Sequence, residues 1–575
     1  MTERLKRFGS YLEGENRHAI HALLQALESG LNGTLEDGYH LSAIDPGIGK
    51  TLSVSVFLGA WKDASFNPSA SVLIGLSRLE EIDSYLENAG LDQKDVAVLT
   101  SDTERNALGV PKSQHNDARI MFTTQQMIER RTRGKAFADA SEFHFEGQPR
   151  TLRIWDESFL PAEQLALRAD DLARLPAALA HEHEYAAEVR ALVTRLWTAE
   201  GGEQLTVPHT LNNLQPLATA TRGTQLSSIV ETLGRLAGRE TAVIATGDGS
   251  MRLAGSAAPI PPDFAPVIIL DASGRVRSTY RVWEESGAQL HRLPSAVKDY
   301  RNLHINLWER PAGQRALRPL QAREEIAEAI ASAVREDLGA PWLIISYKDQ
   351  PIEDQLRAAL EGIEPEGGLH FLTWGMHHGT NAYTDCKNVV LVGHLNYGPA
   401  GYRALLAAAG GPLGASPREA AELLMGGEYR HNWLQALTRA SVRNSNGNLA
   451  GSCNAYVIAS PGTEARKHLE AVFPGCEIDT WEPEISEPGG HAGKLVALLD
   501  QARADGNLPI RKKELREKLG MPEAAHFSRL VQHPAVQACL DRNHLRSRGQ
   551  RIESAVSFEP LEGDGFSIED IDDEL

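Results

Sequence analysis

The chain of 575 residues is poor in cysteine and has no long apolar run. Its four cysteines are scattered without C-x-x-C spacing, which disfavours both a disulfide framework and a zinc cluster. No segment approaches the ~20 apolar residues of a membrane span, and the first residues lead into no run of signal-peptide type. We therefore expect a protein of the reducing cytoplasm that does not enter a membrane. The cysteines are Cys386, Cys453, Cys476 and Cys539.

Positive charge is also in deficit, because 58 Lys and Arg face 77 Asp and Glu, for a net charge of −19. This balance argues against a protein that coats nucleic acid over its whole surface, but it leaves room for a local basic surface. The length predicts three or four domains, each with its own core.

Residues 40–52 (HLSAIDPGIGKTL) have the pattern of a strand, a glycine turn and the start of a helix. In such a loop, backbone N–H groups and the helix end cradle phosphates, a lysine such as Lys50 neutralises them, and a hydroxyl such as that of Thr51 ligates Mg²⁺. Gly47 and Gly49 fit this pattern, but Ile44 stands where the full pattern has its first glycine. An ordinary glycine turn is the alternative.

Short apolar segments at residues 71–76, 96–99, 118–124, 152–155 and 266–270 alternate with helical segments. This alternation predicts a mostly parallel sheet with its ligand at the carboxyl ends of the strands. One segment ends at Asp156 and Glu157. An ATPase needs one carboxylate to hold Mg²⁺ and another to polarise the attacking water, and this pair fits both needs, although it could also be a surface cap.

The rest of the chain predicts three further parts. Residues 165–240 are mostly helical in pattern, and their His181-Glu182-His183-Glu184 run lacks the H-E-x-x-H spacing of a metal site, so we interpret it as a solvated helical face. A second α/β alternation follows. Residues 508–551 then carry ten Lys or Arg against four acids, in a helix-turn-helix rhythm with a recognition helix near residues 524–531.

At this point the chain resembles superfamily-two (DExx-box) helicases and translocases. Residues 47–51 resemble motif I, 156–159 motif II, 271–273 motif III and 435–443 motif VI. Residues 72–78 and 122–127 lie where motifs Ia and Ib would be, residues 344–346 where motif IV begins, and residues 373–385 resemble motif V. The order of these segments across residues 40–445 carries the resemblance.

The resemblance implies two RecA-like α/β domains that use ATP and Mg²⁺. It assigns Gly47, Gly49, Lys50 and Thr51 to the nucleotide, Thr51 and Asp156 to Mg²⁺, Glu157 to the attacking water, and Gln435, Arg439 and Arg443 to the γ-phosphate. On one continuous helix these last three are i, i+4 and i+8 and share a face. The family places its final arginine one residue nearer, so either Arg439 or Arg443 could be the arginine finger. Asp271, Ser273 and Asp385 would couple the sites, and nucleic acid would contact Thr123, Thr124, Gly379 and Thr380. In the basic carboxy-terminal region, Arg511, Lys512 and Arg529 are candidate phosphate contacts, and a small winged-helix-like packing module that binds nothing is the alternative.

These expectations define four regions. Residues 1–280 form the first RecA-like domain with a helical insertion at about 162–260, and 281–500 form the second. Residues 501–552 form a basic helix-turn-helix or winged-helix-like module, and 553–575 a disordered acidic tail. The predicted function is an ATP-dependent motor on nucleic acid, with DNA favoured over RNA by the helix-turn-helix pattern. The alternative is a regulatory scaffold that binds nucleic acid and nucleotide but hydrolyses weakly; protein partners are unknown.

Overall fold

The computed structural model describes residues 13–64, 67–133, 135–160, 162–179, 183–214, 225–245, 249–348, 350–376, 382–412, 414–483, 490–521 and 523–554. The chain divides into two units. The first comprises residues 1–314, 337–349 and 364–482, and the second comprises residues 315–336, 350–363 and 483–575. None of the described helices combines the length and the hydrophobicity needed to cross a membrane.

The first unit contains a seven-stranded, all-parallel sheet, as the sequence predicts. Its central strands are mostly apolar because helices cover both faces of a parallel sheet; all five residues of Val72–Leu76, for example, are buried. From edge to edge the order is Leu290–Arg292, Tyr39–Ser42, Val267–Leu270, Leu152–Asp156, Val72–Leu76, Ile120–Thr124 and Val96–Leu99.

Helices connect these strands and cover the sheet. Gly14–Leu31 contributes Ile20, Leu23 and Leu27 to one apolar core, which it shares with the strands. Their spacing of three and four residues places all three side chains on one face of the helix. The other helices that accompany this sheet are Lys50–Asp63, Glu81–Ala89, Gln125–Thr132 and Ser278–Glu285.

An insert between two neighbouring strands of the first sheet has its own core. It contains the predicted helices, His183–Thr198 and Gln225–Leu236, but also a four-stranded antiparallel sheet, so the insertion is only partly helical. Leu165 and Leu167 alternate inward on a strand, and this period of two was missed beside the strong helical periodicity that follows. The strand order is Glu163–Arg168, Met251–Ala257, Glu240–Ala245 and Gln204–Thr206.

A second all-parallel sheet of six strands lies in the same unit. The prediction of two parallel α/β sheets is therefore confirmed. The order of the strands is Leu369–Thr373, Trp342–Ser346, Asn388–Val392, Cys453–Ala459, Leu303–Glu309 and Glu477–Thr480.

Two helices that follow strands of the second sheet in sequence pack against the first sheet's layer. Pro399–Ala408 and Pro417–Leu437 contribute Tyr402, Leu405 and Leu424 to a core that also holds residues of the first sheet. The longer helix begins with a capping box, in which Ser416 accepts from the Glu419 N–H and Glu419 accepts from the Ser416 N–H. The two sheets are thus joined by shared packing as well as by the chain.

The second unit combines helices with a small antiparallel sheet, and one apolar core joins this sheet to the helices that follow residue 489. The segments 315–336 and 350–363 belong to it, although the sequence assigned them to the second RecA-like domain. Its helices are Leu320–Glu336, Pro351–Ala359, Gly490–Ala504, Lys512–Lys518, Ala524–Val531 and Pro534–Arg542. Its strands are, in order, Ile510–Arg511, Arg551–Ser554 and Leu545–Arg548.

The helix Ala524–Val531 lies where the recognition helix was predicted, while the winged-helix-like identity of the module stays a prediction. Glu553 and Ser554 belong to a strand and not to a disordered tail. The remainder of the predicted tail, residues 555–575, lies outside the described residues.

Candidate nucleotide site

The phosphate-loop segment joins the strand Tyr39–Ser42 to the helix that begins at Lys50. Gly47 and Gly49 have φ values of 87° and 115°, which glycine adopts without the steric cost that other residues meet. Ile44 has no such φ; its side chain is buried, and its carbonyl accepts from Lys50 Nζ at 2.9 Å. The position that lacks the expected glycine therefore does not need one.

The two predicted carboxylates lie at the carboxyl end of the central strand Leu152–Asp156. Asp156 accepts a hydrogen bond from the Tyr85 hydroxyl at 2.6 Å, and burial together with Glu157 raises the pKa of Asp156 to about 6. Glu157 has a φ of 90°, a conformation that costs a non-glycine residue energy and is found most often at functional sites. Burial lowers the pKa of Lys50, and these two carboxylates oppose that shift.

The helix Glu81–Ala89 adds residues that the sequence did not indicate. Tyr85 is fully buried beside Asp156, and Glu81 lies one turn before it. Burial, with Asp156 and Glu157, raises the pKa of Glu81 to about 8. The i, i+4 spacing of Glu81 and Tyr85 places them on one face, but no motif marks that face as part of a site.

The predicted continuous helix through Arg443 was wrong. The helix Pro417–Leu437 ends before Arg439, and Arg443 lies in a separate 3₁₀ turn, Ser441–Arg443. Ala440, between them, has an extended backbone, so the chain changes direction there. Gln435, Arg439 and Arg443 therefore do not share one face of a single helix.

Gln435, Arg439 and Arg443 nevertheless reach the same place. Gln435 Nε2 donates to Glu157 Oε2 at 3.3 Å, and Arg439 Nε donates to the Gln435 carbonyl at 3.0 Å. Burial, and then repulsion from Arg443, lowers the pKa of Arg439 to about 10. Burial also lowers the pKa of Arg443, against the attraction of Glu157, Glu81 and Asp156.

A cleft of about 270 Å³ collects these groups. Every residue that the sequence assigned to nucleotide, metal or catalysis lines it, which brings together the phosphate loop, the end of the central strand, and the last turn of the helix Pro417–Leu437 with the segment that follows it. These residues are Gly47, Gly49, Lys50, Thr51, Asp156, Glu157, Gln435, Arg439 and Arg443.

Of the residues predicted to couple the sites, Asp271 and Ser273 are buried and hydrogen-bonded to each other, whereas Asp385 is exposed. Asp271 is fully buried and accepts from the Ser273 N–H and hydroxyl at 2.8 and 2.7 Å, and from the Tyr280 hydroxyl at 2.8 Å. Although burial alone would raise it, His431 and the Ser273 hydrogen bonds hold the pKa of Asp271 below its usual value. Asp385 is exposed and does not line the cleft.

The two threonines predicted to contact nucleic acid, Thr123 and Thr124, have different surroundings. Thr123 is fully buried, and its hydroxyl donates to the Leu99 carbonyl at 2.6 Å. Its side chain is therefore inaccessible to nucleic acid, and this prediction was wrong. Thr124 caps the helix Gln125–Thr132 by accepting from the Met127 N–H at 3.1 Å.

Of the five other residues predicted to contact nucleic acid, the structure describes the side chains of two. Gly379 and Thr380 lie outside the described residues, and so does the side chain of Arg529. In the second unit, Arg511 is exposed and Lys512 is partly buried.

A buried network beside the phosphate loop was missed by the sequence analysis. Asp45 accepts from Arg275 Nε at 2.8 Å, from the Tyr300 hydroxyl at 2.7 Å and from the Lys298 N–H at 3.0 Å. These residues are far apart in sequence and match no motif. Only the presence of an Asp before Pro46 in an otherwise apolar loop could have drawn attention to it.

The residues present fit a magnesium ion. Asp156 is a buried carboxylate and Glu81 a partly buried one, and both have raised pKa values, which a divalent cation nearby would lower. Among the described residues no group of three His, Cys, Asp or Glu side chains forms a metal cage. Mg²⁺ is commonly held by one or two protein oxygens together with water and phosphate, and Thr51 and Asp156 supply such oxygens.

Comparisons with known proteins find no matching family model and no matching curated sequence. Among solved structures, the chain is similar to an XPD helicase at 10% identity and a TM-score of 0.39, covering 80% of this chain and 99% of that one. It is also similar to a variant of S. cerevisiae Dbp5 bound to RNA and ADP BeF3, at 10% identity, a TM-score of 0.34, and 82% and 93% coverage. The helicase MrfA bound to DNA and AMPPNP matches at 13% identity, a TM-score of 0.35, and 96% and 63% coverage.

Proposed function

We propose that this chain is an ATP-dependent motor on nucleic acid, a helicase or translocase of the cytoplasm that acts on DNA in preference to RNA. The observation that carries the proposal is the convergence of nine predicted residues on one cleft. They come from segments almost four hundred residues apart, and each has the chemistry that phosphoryl transfer requires.

In this proposal the phosphate loop binds ATP. The N–H groups around Gly47 and Gly49 and the start of the helix at Lys50 surround the β- and γ-phosphates, and the Lys50 ammonium neutralises them. Thr51 and Asp156 would hold Mg²⁺, which when bound supplies charge neutralisation at the phosphate oxygens.

Glu157 is the group that takes the proton of the attacking water. Its carboxylate is held by Gln435 Nε2, so it is oriented before the substrate arrives. Water attacks the γ-phosphorus, the bond to the bridging oxygen breaks, and ADP leaves with the electron pair.

Arg443 is the arginine finger in this proposal, and Arg439 positions Gln435. Two nitrogens of the Arg439 guanidinium donate to Gln435, Nε to its backbone carbonyl and Nη2 to its side-chain oxygen. Arg443, in contrast, lies in a separate turn on the wall of the cleft. Because Arg443 comes from a segment next to the second sheet, hydrolysis depends on how the two sheets are held together.

The test is ATP hydrolysis by the full chain with Mg²⁺, alone and with single-stranded DNA, duplex DNA or RNA. We expect stimulation by nucleic acid, and loss of turnover in Lys50→Ala. Lys62→Ala, near the carboxyl end of the same helix and outside the cleft, is the matched control and should hydrolyse normally. A Lys50→Ala protein with wild-type turnover would end the proposal, and turnover absent under every condition with nucleic-acid binding retained would favour the scaffold.

A further inference from the structure

A buried lysine lies in the segment that joins the two sheets. Lys298 stands between the strand Leu290–Arg292 of the first sheet and the strand Leu303–Glu309 of the second, and it is 1% exposed. Its ammonium donates to three successive backbone carbonyls, those of Val442, Arg443 and Asn444, at 3.0, 2.7 and 3.3 Å. An ammonium has three donors, so the side chain is fully used.

The backbone of the same residue is bound to the phosphate loop. The Lys298 N–H donates to Asp45 Oδ2 at 3.0 Å, and the Asp45 N–H donates to the Ala296 carbonyl at 3.0 Å. Tyr300, two residues on, donates to the same carboxylate oxygen. One residue of the connecting segment therefore touches both the base of the phosphate loop and the turn that carries Arg443.

Close packing makes this link rigid. A methyl group on Gly47 would lie 1.8 Å from the Arg443 carbonyl oxygen and 3.1 Å from Lys298 Nζ. Ser445 adds a hydrogen bond from its hydroxyl to the Gly47 carbonyl at 3.2 Å.

Burying the Lys298 ammonium is costly, and its hydrogen bonds to the turn offset that cost. Burial lowers the pKa of Lys298 to about 7, against the attraction of Asp45. An apolar side chain here would leave the carbonyls of Val442, Arg443 and Asn444 without this donor, so the ammonium contributes to stability as well as to the position of the turn.

We propose that Lys298 is a positioning residue for Arg443: it holds the Ser441–Arg443 turn against the phosphate loop so that the guanidinium stays in the cleft. This rests on the proposed ATPase function. Lys298 reaches the reaction only through the backbone of the turn, so its loss should lower kcat and leave nucleotide binding nearly intact. A misplacement of ~1 Å at an active site costs up to about a hundredfold in rate.

The experiment compares Lys298→Met with Lys62→Met, wild type and Arg443→Ala, in ATP turnover and in affinity for a fluorescent ADP analogue. We expect Lys298→Met to lower kcat between about tenfold and a hundredfold, with the ADP affinity changed less than threefold. In the Arg443→Ala background the same substitution should cause no further loss, because Lys298 acts through that residue.

An unchanged kcat in Lys298→Met, or an equal loss with and without Arg443, overturns the inference. If circular dichroism shows that Lys298→Met is unfolded, Lys298→Gln, which keeps donors but is shorter, takes its place with the same criteria. A wild-type chain without turnover would instead refute the proposed function, so the two failures are distinguishable.

A separate observation concerns the small sheet of the second unit. Its register sets Arg511 opposite Arg551 and Arg551 opposite Arg548, so three exposed arginines form one row across three strands. Residues in register share a face, and the opposite face carries buried Ile510 and Ile552. We call Arg511, Arg551 and Arg548 the arginine row.

The arginine row has no internal counter-charge. In the described part of the chain, none of its guanidinium groups has an ion pair, whereas the neighbouring Arg546 is bound to Glu553 at 3.0 Å. Like charges opposite each other destabilise a sheet, and adjacent strands bring them to about 5 Å. Such a row is suited to a regular polyanion.

We infer that the arginine row binds the phosphate backbone of nucleic acid, which identifies a contact surface for the proposed motor apart from the helix Ala524–Val531. The test measures affinity of the full chain for duplex DNA, single-stranded DNA and RNA over a range of salt concentrations. Changing all three arginines to Gln should weaken binding and reduce the salt slope by about 2 to 3, since each phosphate contact contributes ~0.9.

Arg542→Gln is the control, because Arg542 is already paired with Asp500 at 3.0 Å and its removal should leave the slope unchanged. An unchanged slope in the triple variant overturns the inference, as does a loss of binding to anionic lipid vesicles with nucleic-acid affinity unaffected. A wild-type chain that binds no nucleic acid refutes the proposed function instead.

Discussion

The buried ion pair between Arg277 and Glu428 gives the sharpest test of how the two sheets are held together. Arg277 follows the turn that begins at Asp271, and Glu428 lies on the helix that carries Gln435. Nε and Nη2 of Arg277 donate to the two oxygens of Glu428 at 2.7 and 2.9 Å, and the side chains are 4% and 0% exposed. Thr279 donates to the same carboxylate at 3.0 Å.

Glu428→Gln removes the counter-charge and leaves a buried guanidinium. Breaking a buried pair in this way costs about 3–5 kcal/mol, because the remaining charge has lost both water and partner. The double variant Arg277→Met with Glu428→Met removes both charges and should cost less than either single change. The exposed pair Arg281 and Glu285, at 59% and 68% exposure, supplies the control, where Glu285→Gln should cost less than ~1 kcal/mol.

The assay is urea unfolding followed by tryptophan fluorescence and by circular dichroism. Trp283 is buried on the helix Ser278–Glu285 and reports on this region. Coincident transitions by the two probes would license a single free energy of unfolding. The reasoning is refuted if Glu428→Gln costs no more than Glu285→Gln, or if the double variant is as unstable as the single one.

Three further variants test other parts of the structure. Gly47→Ala should destabilise the chain far more than Gly90→Ala, measured by urea unfolding, because both glycines have positive φ but only Gly47 has an atom within 4 Å of the added methyl group. Burial, and then Glu163, raises the pKa of Glu129 to about 7, so the folded state favours the protonated carboxyl. The stability of the fold should therefore fall as pH rises from about 4.5 to 7. Glu129→Gln should stabilise the chain at pH 8 and have little effect at pH 4.5. Arg150→Met should cost at least about 3 kcal/mol, since its buried guanidinium donates to the carbonyls of residues 115, 118, 119 and 144 and each orphaned carbonyl costs ~1–3 kcal/mol; wild-type stability would contradict that count.

Local chemistry was readable from the sequence where a short segment contains all of it. The glycine turn before Lys50 and the acidic pair after an apolar strand each carry their own signal, and parallel strands buried on both faces appear as apolar runs. The convergence of the phosphate loop with Glu157 follows from a general rule, that ligands bind at the carboxyl ends of parallel strands.

Other features depend on partners far away in the sequence and could not be read. Nothing near Asp45 indicates that Arg275, Lys298 and Tyr300 bind it. The break at Ala440 was missed because helical spacing continues through a segment that tertiary packing bends. Thr123 matched a motif position, but which face of a strand its side chain occupies depends on register, which the motif does not encode.

The bonds of Lys298 also bear on the timing of a catalytic cycle. The proposed motor would have to release ADP before it binds ATP again, and an opening of the cleft would separate the phosphate loop from the Ser441–Arg443 turn. That separation would break the hydrogen bonds of Lys298 to three carbonyls or to Asp45, all in a buried setting. The residue that holds the arginine in place would then also slow the opening of the cleft, so Lys298 would oppose ADP release while it supports bond cleavage.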